Sequence, residues 1–278
     1  MIPPIASNFV AGTTPATALD HAADTNRDDV AVILNLLGEH YHDRADADED
    51  ADAYVSIAAD LAASDVTGCI SVKPSQIGLG VSDEAFRENL ARIVDAATER
   101  GVFVWIDMED HETTDVTLDA FETHARATDG NVGVCVQANL KRTMADVQRL
   151  AELPGKVRLV KGAYDEPAEV AYREKSRVDE AYRELLAYMF EHFDDGVAVG
   201  SHDPQMIEYA RELHAEFGTP YEVQMLMGVR EDAQRDLASE GVDVYQYVPY
   251  GGKWMQYFYR RVRERKENLL FAVRAVLT

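Results

Sequence analysis

The stretch VGVCVQANLKRTMADVQRLAELPGKVRLVK, Val132 to Lys161, decides how this chain folds. A short β-branched run, Val132 to Val136, gives way to an amphipathic segment, Thr143 to Glu152, and then to a second run, Val157 to Val160. Short apolar runs separated by a helical period are the pattern of parallel strands buried on both faces and joined by helices. Each run ends in a polar side chain, Gln137 and Lys161.

Working outward, the same unit recurs along the chain. Further runs lie at Val30 to Leu37, Gly68 to Val72, Val102 to Ile106, Val197 to Gly200, Tyr221 to Met225 and Val244 to Val248. Helical patterns fall between them at Asp83 to Arg100, Leu118 to Thr128, Ala168 to His192 and Gln205 to Phe217. An extra helix, about Pro15 to Asn26, precedes the first strand, and another, near Trp254 to Val276, closes the chain. Eight units in about 250 residues fit a closed (β/α)8 barrel better than an open doubly wound sheet. The expected organisation is α/β, one barrel domain over 1–278, with 1–28 as an N-terminal helical extension and 252–278 as a C-terminal helix. No linker or low-complexity segment interrupts it.

Most runs finish in polar residues: Glu39, Lys73, Asp107, Gln137, Lys161, His202 and Gln224, with Tyr247 near the end of the eighth. In a parallel barrel these ends form the C-terminal mouth, where chemistry is assembled. Strand alternation places Asp107 on one face with Trp105 and Phe103, and Arg158 on one face with Val160 and Gly162.

Composition excludes several classes. Fifty acidic residues against 27 basic give a formal net charge of −23. The acids are dispersed and lysines are few, as in proteins of salt-loving microbes. Such a surface disfavours nucleic acid and anionic lipid as partners. No apolar run is long enough to cross a bilayer, and Met1 to Ala11 does not read as a secretory signal. Cys69 and Cys135 fall in apolar runs and read as buried free thiols.

Three motifs lead nowhere. Asp46, Asp48, Asp50 and Asp52 alternate like a calcium loop, yet the required Gly and Glu positions hold Ala51 and Ile57. They read instead as acids near the N-terminal end of a helix. His40 and His42 resemble the metal-binding pair of barrel hydrolases, but Gln137, Lys161 and Tyr247 stand where the other ligands belong, so no metal is expected. Gly78-Leu79-Gly80 is too short for a dinucleotide fingerprint.

The C-terminal segment reverses the sign of the charge. From Gly251 to Thr278 there are seven basic and two acidic residues, a net of +5, beside −28 for the rest. Tyr257, Arg260, Arg261 and Glu264 share one helical face. Paired guanidiniums there would form a carboxylate clamp.

At this point the chain resembles a known family. Arg158-Leu-Val-Lys-Gly-Ala-Tyr164, Tyr221-Glu-Val-Gln-Met-Leu-Met-Gly228 and Tyr247-Val-Pro-Tyr-Gly251 are similar to the fifth-, seventh- and eighth-strand motifs of proline dehydrogenases. Ile70-Ser-Val-Lys73, Ile106-Asp-Met-Glu109 and Val136-Gln-Ala138 fit in the same order. The resemblance implies flavin-dependent oxidation of L-proline to pyrroline-5-carboxylate, with FAD as cofactor and a quinone-type electron acceptor. Arg260, Arg261 and Lys73 would hold the carboxylate, and Glu39 would gate entry. Tyr247, Tyr257 and Leu226 would wall the ring. Asp107 would organise the bound state, and Arg158 would reach the flavin N5 region. Met108, Gln137, Lys161, Gly162, Ala163, Ser201 and His202 would line the FAD. One departure is Asp203, where the family more often carries Asn; an acid beside the cofactor's phosphates would be unfavourable. The resemblance also implies a cytoplasmic protein with at most peripheral contact at the inner face of the membrane, and it leaves the oligomeric state open. A metal-dependent hydrolase and a non-catalytic flavoprotein are the rival classes.

Overall fold

The computed structural model describes residues 6–255 of the 278-residue chain. Eight parallel strands pair in sequence order and close into a barrel, β1 pairing with β8. They are β1 Ala31–Leu36, β2 Gly68–Val72, β3 Val104–Ile106, β4 Val132–Gln137, β5 Lys156–Val160, β6 Val197–Gly200, β7 Tyr221–Leu226 and β8 Asp243–Tyr250. The helices are α1 Pro15–Asn26, α2 Arg44–Ala62, α3 Asp83–Thr98, α4 Thr114–Ala127, α5 Thr143–Leu150, α6 Lys175–His192, α7 Pro204–Phe217 and α8 Glu231–Ser239. The expected barrel and its extra N-terminal helix are therefore present. The C-terminal helix, with Tyr257, Arg260, Arg261 and Glu264, lies outside the described residues.

Strand alternation builds two separate cores. Outward-facing side chains such as Val32, Ile70, Val104, Val134, Leu159, Val199 and Val223 are fully buried against the helices. Inward-facing Ile33, Cys69, Trp105 and Ala198 form a small apolar plug inside the barrel, with Phe103, Tyr245 and Tyr247 against it. Gly133 leaves room for that plug: a Cβ there would sit 2.5 Å from the Trp105 ring. Both cysteines are free and buried, and burial raises both thiols above their ordinary value.

Local sequence sets the helix starts. Thr14 opens α1 through a reciprocal capping box with Thr17, and Pro15 occupies its first turn. Asp43, Ser82 and Asp203 accept from backbone amides at the starts of α2, α3 and α7. The segment before α1 also runs beside the ends of β1 and β8. The Ala11 amide donates to Pro249 and the Gly251 amide to Gly12. Phe9, Val10, Leu37 and Trp254 pack together above β1 and β8.

One expectation needs correction. The helix anticipated from Ala168 begins only at Lys175. Residues 166–172 instead dock on the loop after β4: Tyr172 donates to the Asn139 carbonyl, Lys141 to the Val170 carbonyl, and Leu140 bridges Ala171. Residues 168–170 form a turn, with the Val170 and Ala171 amides donating to the Pro167 carbonyl. The docked segment does not continue as the helix that the residue pattern alone would allow. The acids 46 to 52 lie in the N-terminal half of α2, with Asp46 in its first turn, as expected. Asp48 accepts from Arg44 and Asn89, Asp50 from Tyr41 and Gln76, and Asp52 pairs with Arg92.

Candidate active site

Asp107 stands at the centre of the C-terminal mouth, immediately after β3. Its Oδ1 accepts from Ser71 Oγ at 2.7 Å and from Arg158 Nη2, and its Oδ2 accepts from the Tyr247 hydroxyl at 2.7 Å. Strands β2, β5 and β8 thus send one residue each to a single carboxylate at the end of β3. Its Lys73 neighbour on the next strand is not a direct partner: Lys73 Nζ donates to Asn35 Oδ1 at 3.3 Å.

Arg158 is buried, with its side chain 6% exposed. The guanidinium carbon lies 4.9 Å from the centre of the Trp105 ring and 5.8 Å from that of Tyr247. Nη1 donates to Gln224 Oε1 at 3.0 Å. Burial is the largest single influence and works against its charge, but Asp107, Cys135 and Tyr247 together outweigh that penalty and raise its pKa above the ordinary arginine range. The Tyr247 hydroxyl is pushed far above its usual range by burial and then by the Asp107 charge. It stays a neutral donor to that carboxylate.

Lys73 differs from the other cations of the mouth. Among the described residues its ammonium forms one hydrogen bond and no ion pair, in a chain carrying 50 acids. An ammonium has three donors. The remaining ones suit an incoming anion. Glu39, assigned to gating, is half-buried in the loop after β1, and His40 beside it takes a positive φ of 58°.

The residues assigned to the cofactor form an arc over the ends of β3 to β6. Gln137 Nε2 donates to the Glu109 carbonyl at 2.7 Å, while both Glu109 oxygens accept from Ser75 at 2.6 Å. Burial raises the Glu109 carboxyl against the opposing pull of those bonds. Met108 and Ser201 are buried, Leu226 is half-buried and Ala163 is exposed. The Leu226 amide donates to His202 Nε2 at 3.3 Å, which ties those two residues together. Lys161 sits between Asp179 and Asp203, its Nζ 2.8 Å from Asp203 Oδ2. Burial would raise Asp203, but the Lys161 hydrogen bond and then the Gln205 amide hold it below the ordinary carboxylate range. The departure at Asp203 is thereby neutralised within the protein itself.

The loop after β5 bears on whether a large cofactor fits. Gly162 adopts φ +110°, and a Cβ there would fall 2.1 Å from Asn139 Oδ1. That Asn139 oxygen is buried without a hydrogen-bond partner among the described residues. Both line an open cavity of about 250 Å³, together with Lys161, Tyr164, Tyr172 and Arg173. An orphaned polar atom, a glycine-only backbone and flanking cations and aromatics match a nucleotide-bearing cofactor. Over this rim, the His111 amide and ring both engage buried Glu166 and so tie the β3 and β5 loops together.

Two groups of residues were given no role by the sequence reading. Ser71, Asn35 and Glu109 sit beside the assigned residues, but a single Ser, Asn or Glu carries no distinguishing spacing. Asn139 and Tyr164 were equally silent. His40 and His42 are exposed at the mouth, and the described residues contain no group of three His, Cys, Asp or Glu able to hold a metal ion.

Comparison with known proteins bears on this geometry. Residues 18–274 match the family described as Proline dehydrogenase. A proline dehydrogenase of Deinococcus radiodurans is 37% identical over 283 residues, covering 98% of this chain and 90% of that protein. Proline dehydrogenase 1 of Bacillus subtilis (strain 168) is 33% identical over 275 residues, with the same coverage of each. Among solved structures, proline utilization A from Bdellovibrio bacteriovorus inactivated by N-propargylglycine superposes with a TM-score of 0.85 at 23% identity. That match covers 92% of this chain and 32% of the other. Proline utilization A from Corynebacterium freiburgense gives 0.80 at 22% identity, over 96% and 31%. The present chain thus spans about a third of those longer proteins, and the likeness to them is one of fold.

Proposed function

The chain belongs to the proline dehydrogenase family, and from that premise we propose how its own residues carry out the FAD-dependent oxidation of L-proline to pyrroline-5-carboxylate. The observation that carries the assignment of the substrate site is Lys73. Its ammonium stands at the mouth beside the Asp107 cluster and, among the described residues, has no carboxylate of its own. Substrate carboxylate takes that place, joined by Arg260 and Arg261 from the segment outside the described residues. Tyr247, Tyr257 and Leu226 wall the ring, and Glu39 controls entry.

Oxidising a C–N bond removes a hydride and a proton, and no side chain accepts a hydride. FAD, when bound, supplies that acceptor. Met108, Gln137, Lys161, Gly162, Ala163, Ser201 and His202 are the residues to hold it. Arg158 offers a fixed positive charge toward the site, where negative charge grows during the reaction. Asp107 keeps that guanidinium in place and Trp105 supports it from below. Fixing the carboxylate at one end of a small rigid ring orients its reacting carbon, and this is the larger part of what the protein contributes.

Electrons pass on to a quinone-type acceptor, met at a membrane surface by contact. Among the described residues no helix is long and apolar enough to cross a membrane. The deciding experiment is the visible spectrum of purified protein before and after L-proline under anaerobic conditions. A flavin spectrum that bleaches with proline is expected. Colourless protein from flavin-replete cells, or a spectrum unmoved by proline, overturns the reading.

A further inference from the structure

A polar chain runs down the inside of the barrel, beneath the site. From Arg158 Nη1 it passes to Gln224 Oε1 at 3.0 Å, and from Gln224 Nε2 to Glu222 Oε1 at 2.6 Å. The other Glu222 oxygen pairs with Lys156 Nζ, on β5 one inward position below Arg158. Lys156 lies 5.4 Å from the Phe103 ring centre and 5.8 Å from that of Tyr245. Glu222, Gln224 and Arg158 are all at most 5% exposed. Nothing in the substrate or cofactor assignment uses Glu222, Gln224 or Lys156.

A buried carboxylate at the closed end of a barrel is unfavourable without a purpose or a partner. Here its partners define a polarity. A carboxylate only accepts hydrogen bonds and a guanidinium only donates them. An amide wedged between the two has one arrangement open to it: nitrogen toward Glu222, oxygen toward Arg158. The ion pair with Lys156 holds the Glu222 carboxylate in place and so keeps that arrangement fixed. The Arg158 guanidinium is thereby held on two sides, by Asp107 above and by Gln224 beside it.

We propose that Glu222 and Gln224 are positioning residues for the reaction, locking the Arg158 guanidinium in its working orientation through the polarity of the Gln224 amide. This rests on the reading that Arg158 faces the flavin. It adds two residues of β7 that touch neither substrate nor cofactor.

The test uses the holoenzyme and the midpoint potential of its flavin alongside steady-state kinetics. Glu222→Gln is nearly isosteric, but it places an amide against an amide and frees Gln224 to turn its nitrogen toward Arg158. We expect kcat to fall about tenfold, in keeping with one weakened bond to a charged group. KM for proline should stay within about twofold, since Lys73 is untouched. The same tenfold loss of charge stabilisation lowers the potential by about 30 mV for a two-electron couple. Gln224→Met, which removes the acceptor at similar volume, should shift both readouts the same way and stands in if Glu222→Gln does not fold. The double variant Glu222→Gln with Gln224→Glu restores an acceptor toward Arg158 and a donor between the two positions. It should recover most of the potential and of kcat, which a merely structural role would not do. Wild-type potential and kcat in both single variants, or no recovery in the double variant, overturn the proposal. A wild-type protein that binds no flavin or does not bleach with proline overturns the underlying reading instead.

Discussion

Arg158 and Asp107, 51 residues apart in the chain, meet head to head inside the barrel, Nη2 donating to Oδ1. Neither charge has an alternative partner of opposite sign among the described ion pairs. Removing the carboxylate therefore leaves a buried guanidinium uncompensated. Asp107→Ala should lower stability by roughly 3–5 kcal/mol, whereas Asp107→Ala with Arg158→Met should recover part of that loss. Denaturant unfolding of the single and double variants checks this. A double variant less stable than the sum of its single effects would contradict it.

Lys73→Met keeps the aliphatic stem and removes the charge. Proline affinity, read by anaerobic titration of the flavin spectrum, should weaken about 10- to 150-fold. Flavin content should remain near wild type. Pyrrolidine, lacking the carboxylate, should be almost indifferent to the change. Equal weakening of both compounds would show that Lys73 does not bind the anion.

Gly162→Ala tests the loop after β5. The left-handed φ and the 2.1 Å approach to Asn139 leave no room for a methyl group. FAD should be lost on gel filtration, and stability should fall by more than about 1 kcal/mol. Gly101→Ala is the control: its φ is +70°, but nothing lies within 4 Å of the added carbon. It should keep its flavin.

Lys161 between Asp179 and Asp203 gives a pH dependence of definite sign. Both carboxyls face the opposing effect of burial first, yet the Lys161 hydrogen bond, helped by other donors, holds each below its ordinary 3.8. As pH falls the unfolded chain takes up these protons first. The stabilisation is complete above the unfolded values and is lost as pH drops through the lower folded ones. Lys161→Met should thus be less stable than wild type near pH 6, with the gap closing below about pH 3. A gap that is constant across this range would mean the acids are not coupled to Lys161.

A net charge of −23 predicts a salt dependence. At about 0.01 M ionic strength the screening length is about 30 Å, so repulsion acts across the whole molecule. Melting temperature should climb from dilute buffer into molar potassium chloride. Coincident melts would remove any role for the acidic surface.

The barrel was legible because its signal is repeated. Eight runs each carry outward-facing Val, Ile or Leu that must meet a helix, and the polar residues closing them stand at one end by topology alone. Asp107, Lys73 and Tyr247 were found that way, whereas Arg158, inside its run, was assigned through the family motif that begins with it. The start of α6 was not legible, because the backbone bonds from Tyr172 to Asn139 and from Lys141 to Val170 override a helical pattern from Ala168. Asp203 looked unfavourable only while Lys161, 42 residues away, was not seen to pair with it.

Periodicity and residue type, by themselves, determined the fold class and the end of the barrel that carries the chemistry, and the order of the strand motifs pointed to the family. These depend on local alternation and on motif order, which a linear chain records directly. Which donor meets which acceptor was decided only by closure of the barrel. Register brings Cys135, Arg158 and Ala198 side by side, sets Trp105 over Gly133, and stacks Lys156, Glu222 and Gln224 beneath the guanidinium. A hydrogen bond is a condition on distance and direction between strands. The sequence supplies the partners, and the folded geometry selects among them.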